Sequence, residues 1–314
     1  MIMSTGIFGL QTTISNSVRI SGIGVHSGKP ATIVLQPGEA DQGILFERYE
    51  NGKRISSFKA VADNVGPTAL CTVLGTHPGE WIATIEHLMA AIYALGIDNL
   101  VISVDGGEMP IMDGSSRIFV DALDEAGIVK LSRQRSYIKV AKTVRVENGA
   151  GWAEFSPYDG TRFDVEIDFE TPVIGRQKWA GDMNAETFRK ELSGARTFGF
   201  MRDVEPMWAR GFALGSSLEN SVVIADDDRV INAEGLRYEN EFVRHKTLDA
   251  VGDLAMMGMR FAGAFRSYRG GHALNAAAVR KLFETPGAAV IVSPRGALPF
   301  RLRQEGVVAA GPAS

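Results

Sequence analysis

Segments that read as strands and segments that read as helices follow one another in the same order twice along this chain, and that repetition restricts its fold more than any single motif. In the first half, SVRISGIGV, ATIVLQPG, GILFERYE and TALCTVLG set branched or aromatic residues between turn signals. A helix follows in IEHLMAAIYAL, where Ile85, Leu88, Met89, Ile92 and Leu95 recur at helical spacing, Thr84 offers an N-cap and Gly96 a stop. A strand, NLVISVDG, and a helix from about Ser116 to Ala126 complete this half. The second half reads YIKVAKTVRVE, WAEFSPY and FDVEIDF as strands, then helical NAETFRKELSGA and strand-like SVVIAD. The helix of EFVRHKTLDAVGDL is expected to end near Gly258, and the strand FAGAFRSY and the helix ALNAAAVRKLFE follow it. Two related α+β layers are therefore expected, at 1–130 and 137–300, joined through the polar LSRQRS at 131–136 and followed by a frayed tail at 301–314.

Composition narrows the function classes. At 314 residues, 45% hydrophobic and 22% charged, the chain has ample material for a core. Its 33 basic and 37 acidic residues leave a formal charge of −4, so there is no overall basic field for nucleic acid. A single cysteine, Cys71, excludes an internal disulfide framework and a Cys-rich structural zinc site, which fits a reducing compartment. The N-terminal residues carry no secretory pattern, and no apolar run reaches membrane length. A cytoplasmic protein without an integral membrane segment is expected.

EFVRHKTLDAVGDL sets His245, Asp249 and Asp253 four residues apart on a helix. At about 100° per residue, Asp249 lies about 40° and Asp253 about 80° around from His245, so all three project within one quadrant. One His-x3-Asp pair commonly marks a solvated helix face with local ion pairing. The other half adds weight, because Glu86 and His87 are neighbours in IEHLMAA. Adjacent helical residues point about 100° apart, so one would bind an ion while the other stood beside the bound atom. His87, His245 and Asp249 would bring the two halves together around a metal with a fourth position open, the arrangement of a catalytic zinc site. Glu86, in the first turn of its helix, has a dipole that favours its carboxylate form as a base. His272 begins a helix, where a carboxylate such as Asp253 could hold it protonated as an acid. In ARTFGFMRD, the Thr197 hydroxyl could donate to an oxyanion, beside the aromatic Phe198 and Phe200.

Other apparent motifs fail. GIGVHSGKP resembles a phosphate loop, but the glycine spacing is too short and Pro30 follows the lysine. His26 remains a loop histidine that could line the cleft, and His77 is expected at the surface. Cys71, beside Leu70, is expected to be buried rather than nucleophilic, with both facing the site.

At these residues the chain resembles the zinc-dependent UDP-3-O-acyl-N-acetylglucosamine deacetylases of lipid A biosynthesis in Gram-negative bacteria. The likeness runs from about Ser17 to about Glu284, with TIEHLMAA, GIDNLVI, EMPIMDGSS, ARTFGFMRD, FVRHKTLDAVGDL and GHALN in the family's order. The resemblance implies two similar two-layer α+β sandwich domains, each a β-sheet packed with two main helices, with the active site between them. It implies Zn2+ on His87, His245 and Asp249, Glu86 as general base, His272 as general acid tuned by Asp253, and Thr197 assisting the oxyanion. Lys246 and Arg269 would lie near the sugar and diphosphate, and Phe198 and Phe200 would form a wall over the glucosamine ring. Leu70, Cys71 and Met201 would also meet substrate. The implied reaction removes the acetyl group from the 2-amino group of UDP-3-O-(3-hydroxyacyl)-N-acetylglucosamine and releases acetate, an early committed step of the pathway. An insert near 198–221, rich in Met201, Val204, Met207, Trp208, Phe212 and Leu214, would enclose the acyl chain, and a monomer is expected. Two histidines and a carboxylate also make the facial triad of non-haem iron oxygenases, and a sugar-nucleotide-binding protein could use a metal merely to join its halves. A base beside the open position and an acid at His272 favour hydrolysis over both.

Overall fold

The computed structural model describes residues 9–294 and 296–299, so the tail at 301–314 lies outside the described residues. After β1 (Leu10–Ile14), a five-stranded sheet forms from β2 (Val18–Ile23), β3 (Pro30–Pro37), β4 (Ile44–Glu50), β5 (Lys53–Lys59) and β6 (Leu100–Asp105), in the order β2-β3-β6-β4-β5. Period-two patterning sets its inner face: Ala31, Ile33 and Leu35 of β3 and Leu100, Ile102 and Val104 of β6 are buried. Between β5 and β6 the chain makes α1 (Glu86–Leu95), and this long connection lets β6 lie parallel to β4. α2 (Arg117–Ala126) packs beside α1 through a face that buries Phe119, Val120, Leu123 and Ala126. β7 (Ile128–Gln134) then pairs antiparallel with β1 as a separate ribbon. The expected joint at 131–136 is thus strand as far as Gln134.

The second half supplies β8 (Tyr137–Val140), β9 (Val144–Asn148), β10 (Gly151–Ser156), β11 (Thr161–Asp168) and β12 (Arg176–Asp182). After them come α3 (Ala185–Thr187), which continues as a π-helical stretch from Phe188 to Leu192, β13 (Phe198–Phe200), α4 (Met201–Ala209) and β14 (Val222–Ile224). The chain goes on through α5 (Glu241–Ala255), β15 (Phe261–Tyr268), α6 (His272–Glu284), β16 (Ala289–Ser293) and β17 (Gly296–Pro299). β15 is the hub of an eight-stranded sheet, parallel to β11 and β8 and antiparallel to β10. β13 and β14 form a short parallel pair of their own. The architecture is α+β, with two principal sheets and helices packed against them. Among the described residues, no helix is long and apolar enough to cross a membrane.

α1 and α5 make the most extensive contact between any two elements, and every residue of α1 is buried. Gly252 permits their close approach, because a Cβ there would lie 2.0 Å from the Glu86 carbonyl oxygen. Any larger residue would push apart the two helices that carry the proposed ligands.

Where the fold departs from the sequence reading, the cause is local. TALCTVLG is not a strand, since only isolated bridges from Val65 and Ile82 to Leu74 form there. Gly66 and Pro67 lie just before the run, and the Thr72 amide within it is committed to a side chain, as described below. β5 and β12 were not legible, because they are edge strands whose polar sequences lack a clear apolar alternation. α5 stops at Ala255, three residues before the expected end.

Candidate metal centre

α1 begins without the cap that its sequence suggests. Thr84 sits at φ 61° and gives its hydroxyl to Glu108 Oε1 at 3.3 Å, so Ile85 takes the N-cap position with no side-chain bond. Glu86 and His87 then occupy the first two helical positions, both buried. On α5, the spacing of four sets His245, Asp249 and Asp253 along one buried face, as expected.

The helix contact brings His87 to that face. His87 Nε2 is 3.6 Å and His245 Nε2 3.3 Å from Asp249 Oδ1, and the two imidazoles meet edge to face with centroids 5.1 Å apart. One ligand atom from each of the three residues can be chosen so that all lie within 4.8 Å of one another. The His245 Nδ1–H donates to the Ala195 carbonyl at 3.1 Å, which leaves a lone pair on Nε2. Asp249 Oδ2 accepts from Lys246 Nζ at 2.7 Å, whereas Oδ1 is buried with no hydrogen bond. Two imidazoles and a carboxylate with an unsatisfied oxygen fit a divalent ion.

Charges around these groups suit ligation. Burial holds His245 down at about 4, overcoming the opposing pull of Asp249, so its imidazole is neutral. Burial alone would raise Asp249, but His245 and Lys246 hold its carboxyl well below the usual range. Lys246 is itself raised, because Asp249 outweighs the effect of burial. Lys246, expected at the sugar and diphosphate, therefore spends its ammonium on a ligand while also lining a small cleft with Ser267, Gly270, Gly271 and Asn275.

Beside the three candidate ligands stand the candidate acid and base. His272 opens α6 and sets Nδ1 2.9 Å from Asp253 Oδ2, while its Nε2 faces Glu86 Oε1 at 3.9 Å. Burial opposes the charge on His272, but Asp253 more than reverses that and lifts it to about 9. Glu86 departs from the dipole argument, because burial pushes its carboxyl up and His272 and His87 offset this only in part. Thr72 was missed in the sequence. Its N–H donates to Glu86 Oε2 at 3.0 Å and its hydroxyl to Asp253 Oδ1 at 2.5 Å, so one residue holds Glu86 and the carboxylate partner of His272. Asn275 was missed as well, and it donates to Asp253 Oδ2 at 2.8 Å. No spacing rule points to Thr72, but the i+3 position of Asn275 after His272 could have marked it.

The remaining candidates scatter around this centre. Thr197 is anchored through its backbone between Gly114 and Val222. Phe198 packs edge-on against Phe242 and lies 6.3 Å from His245, whereas Phe200 meets Phe169 and carries Arg202 over its ring. Met201 and Leu70 are exposed. Cys71 is buried with its thiol pushed up by burial, as expected of an inert cysteine. Arg269 is partly exposed and donates to Asp168 at 3.1 Å. His26 lies half-buried against Phe212, and His77 is at the surface.

A profile of the family described as UDP-3-O-acyl N-acetylglycosamine deacetylase matches residues 11–284. Proteins from Brucella ovis, Brucella abortus and Brucella melitensis, each named UDP-3-O-acyl-N-acetylglucosamine deacetylase, are 57% identical to this chain over 282 residues, covering 90% of it and 98% of each relative.

Proposed function

The chain belongs to the UDP-3-O-acyl-N-acetylglucosamine deacetylases, and on that premise we propose that His87, His245 and Asp249 hold a catalytic zinc while Glu86 and His272 move the protons of amide hydrolysis. It is a hydrolase that deacetylates the acylated UDP-sugar in lipid A biosynthesis. The observation that carries the zinc assignment is Asp249 Oδ1, buried without a hydrogen bond and facing the Nε2 atoms of both histidines.

Zinc held there would supply Lewis acidity at the amide carbonyl and lower the pKa of the attacking water. Glu86 keeps Oε2 on the Thr72 amide and uses its other oxygen to take the proton from water. Its raised pKa brings proton uptake closer to neutral pH. His272, held protonated through Asp253, gives the Nε2 proton to the departing nitrogen as the C–N bond breaks. Lys246 keeps Asp249 anionic, and the Thr197 hydroxyl donates to the oxyanion. Phe198 and Phe200 wall the sugar, with Leu70, Cys71 and Arg269 at the margins of the substrate. The test is release of free amine from the acetylated UDP-sugar by purified protein, before and after chelation. Chelation should abolish turnover and added zinc restore it; turnover indifferent to complete metal removal would exclude the assignment.

Division into domains at 1–130 and 137–300 is supported by the two sheets, each of which lies within one of these ranges. An acyl-channel insert near 198–221 is supported by α4, which buries no residue, and by the exposure of Met201 (44%), Trp208 (52%) and Leu214 (52%). Each methylene that such a surface buries is worth about 0.8 kcal/mol, roughly fourfold in kcat/KM. A substrate lacking the 3-O-acyl chain should therefore lose two or more orders of magnitude in kcat/KM, and equal values for both substrates would remove the channel. A cytoplasmic monomer completes the reading, supported as to compartment by the free, buried thiol of Cys71.

A further inference from the structure

We propose that the buried Arg196–Glu241 ion pair is a positioning device for the metal ligand His245, an inference that rests on the ligand assignment above. The side chains of Arg196 and Glu241 are 1% and 0% exposed, joined at 2.9 Å, and neither touches the reacting groups. What ties them to the centre is one peptide unit. The Ala195 carbonyl accepts from His245 Nδ1 at 3.1 Å, and the N–H of the same planar unit, on Arg196, donates to Glu241 Oε1 at 2.9 Å. Glu241 is the first residue of α5 and His245 lies four residues on, so both partners of that peptide stand on one side of one helix. The peptide is thus a rigid spacer between a carboxylate and an imidazole, and its plane sets the direction in which the imidazole points.

The carboxylate that holds the spacer is itself held. Glu241 also accepts from Arg196 Nε at 2.9 Å, from Arg196 Nη2 at 3.2 Å and from the Arg237 amide at 2.6 Å. Arg196 Nη1 continues to Glu234 and Nη2 to the Gly235 carbonyl. On the other side of the spacer, Arg237 Nη1 grips the Gly194 carbonyl and Asp113 of the first half, and the Thr197 amide donates to Gly114. A buried ion pair is a poor source of stability, because desolvation offsets its attraction. It is an effective way to fix a neighbouring dipole, and partners of ligating histidines set both tautomer and orientation.

The experiment measures zinc dissociation constants by chelator competition, with melting temperatures of the apo proteins, for wild type, Glu241→Ala, Glu241→Gln and His245→Ala. Glu241→Ala removes the acceptor of the spacer N–H and should weaken zinc binding 10- to 100-fold. Glu241→Gln retains an oxygen at that place and should stay within a few-fold of wild type. Cobalt-substituted Glu241→Ala should show an altered visible spectrum, since the imidazole is reoriented rather than lost. If Glu241→Ala is folded and lowers only the melting temperature, with affinity within twofold of wild type, the pair is merely structural and the proposal is overturned. Should that variant fail to fold, Arg196→Met/Glu241→Leu removes both buried charges together, and the same two outcomes decide. Wild-type affinity in His245→Ala would overturn the ligand assignment itself, which separates failure of that premise from failure of the clamp.

Discussion

His87→Ala should lose bound zinc and activity together, whereas Glu86→Ala should keep near-stoichiometric zinc and lose about 10²- to 10⁴-fold in kcat. The two residues are neighbours in the first turn of α1, yet their surroundings differ. His87 lies 3.6 Å from Asp249 Oδ1 beside the ring of His245, whereas Glu86 is turned to the Thr72 amide and faces His272 across 3.9 Å. Removing one of three protein ligands leaves two, too few for tight binding, whereas removing the base leaves the ligand set whole. Metal content and initial rates of the purified, folded variants check this directly. Zinc lost from Glu86→Ala but retained by His87→Ala would exchange the two roles.

The alkaline limb of the pH profile should shift strongly downward in Asp253→Asn. In the proposed mechanism His272 acts only while protonated, so its pKa should set the alkaline limb of kcat/KM, near 9 in the wild type. Burial by itself lowers that pKa, and the Asp253 carboxylate, 2.9 Å away, is what raises it. With a neutral amide in its place the limb should fall to about 6.5 or lower, the ordinary value or one depressed by burial. At pH 8 the protonated fraction would drop from about nine-tenths to about 3%, roughly a thirtyfold loss, and lowering the pH should recover part of it. An alkaline limb that stays near 9 in Asp253→Asn would mean that His272 is not the group titrating there.

How much of this was legible depended on whether the deciding interaction is local in sequence. The spacing of four on α5 placed His245, Asp249 and Asp253 on one face because helical geometry is independent of context. The buried strands β3 and β6 were equally plain, since burying one face imposes alternation. Edge strands β5 and β12 escaped because neither owes its pairing to an apolar stripe. Within the site, the two missed residues act through contacts made only after folding: Thr72 reaches Asp253 from the other half of the chain. Lys246 was read as near the sugar and diphosphate, and its ion pair with the carboxylate three residues along the same helix was not foreseen. The dipole argument for Glu86 left out burial, which pushes its carboxyl up against the pull of the helix terminus.

The packing of α1 on α5 has a consequence for how the protein is made. During synthesis α1 emerges long before α5, and all ten of its residues belong in contacts that the finished protein buries. Until α5 docks, with Gly252 against the Glu86 carbonyl, part of that surface has no cover, and a chain in this interval is a substrate for chaperones and a risk for aggregation. His87 likewise lacks its two proposed partner ligands until then, since both lie on the helix that arrives late. On the proposed ligand set, metal capture must follow the meeting of distant segments, so a shortage of metal would act on finished chains, while a stalled ribosome would release ones that no supply of metal could rescue.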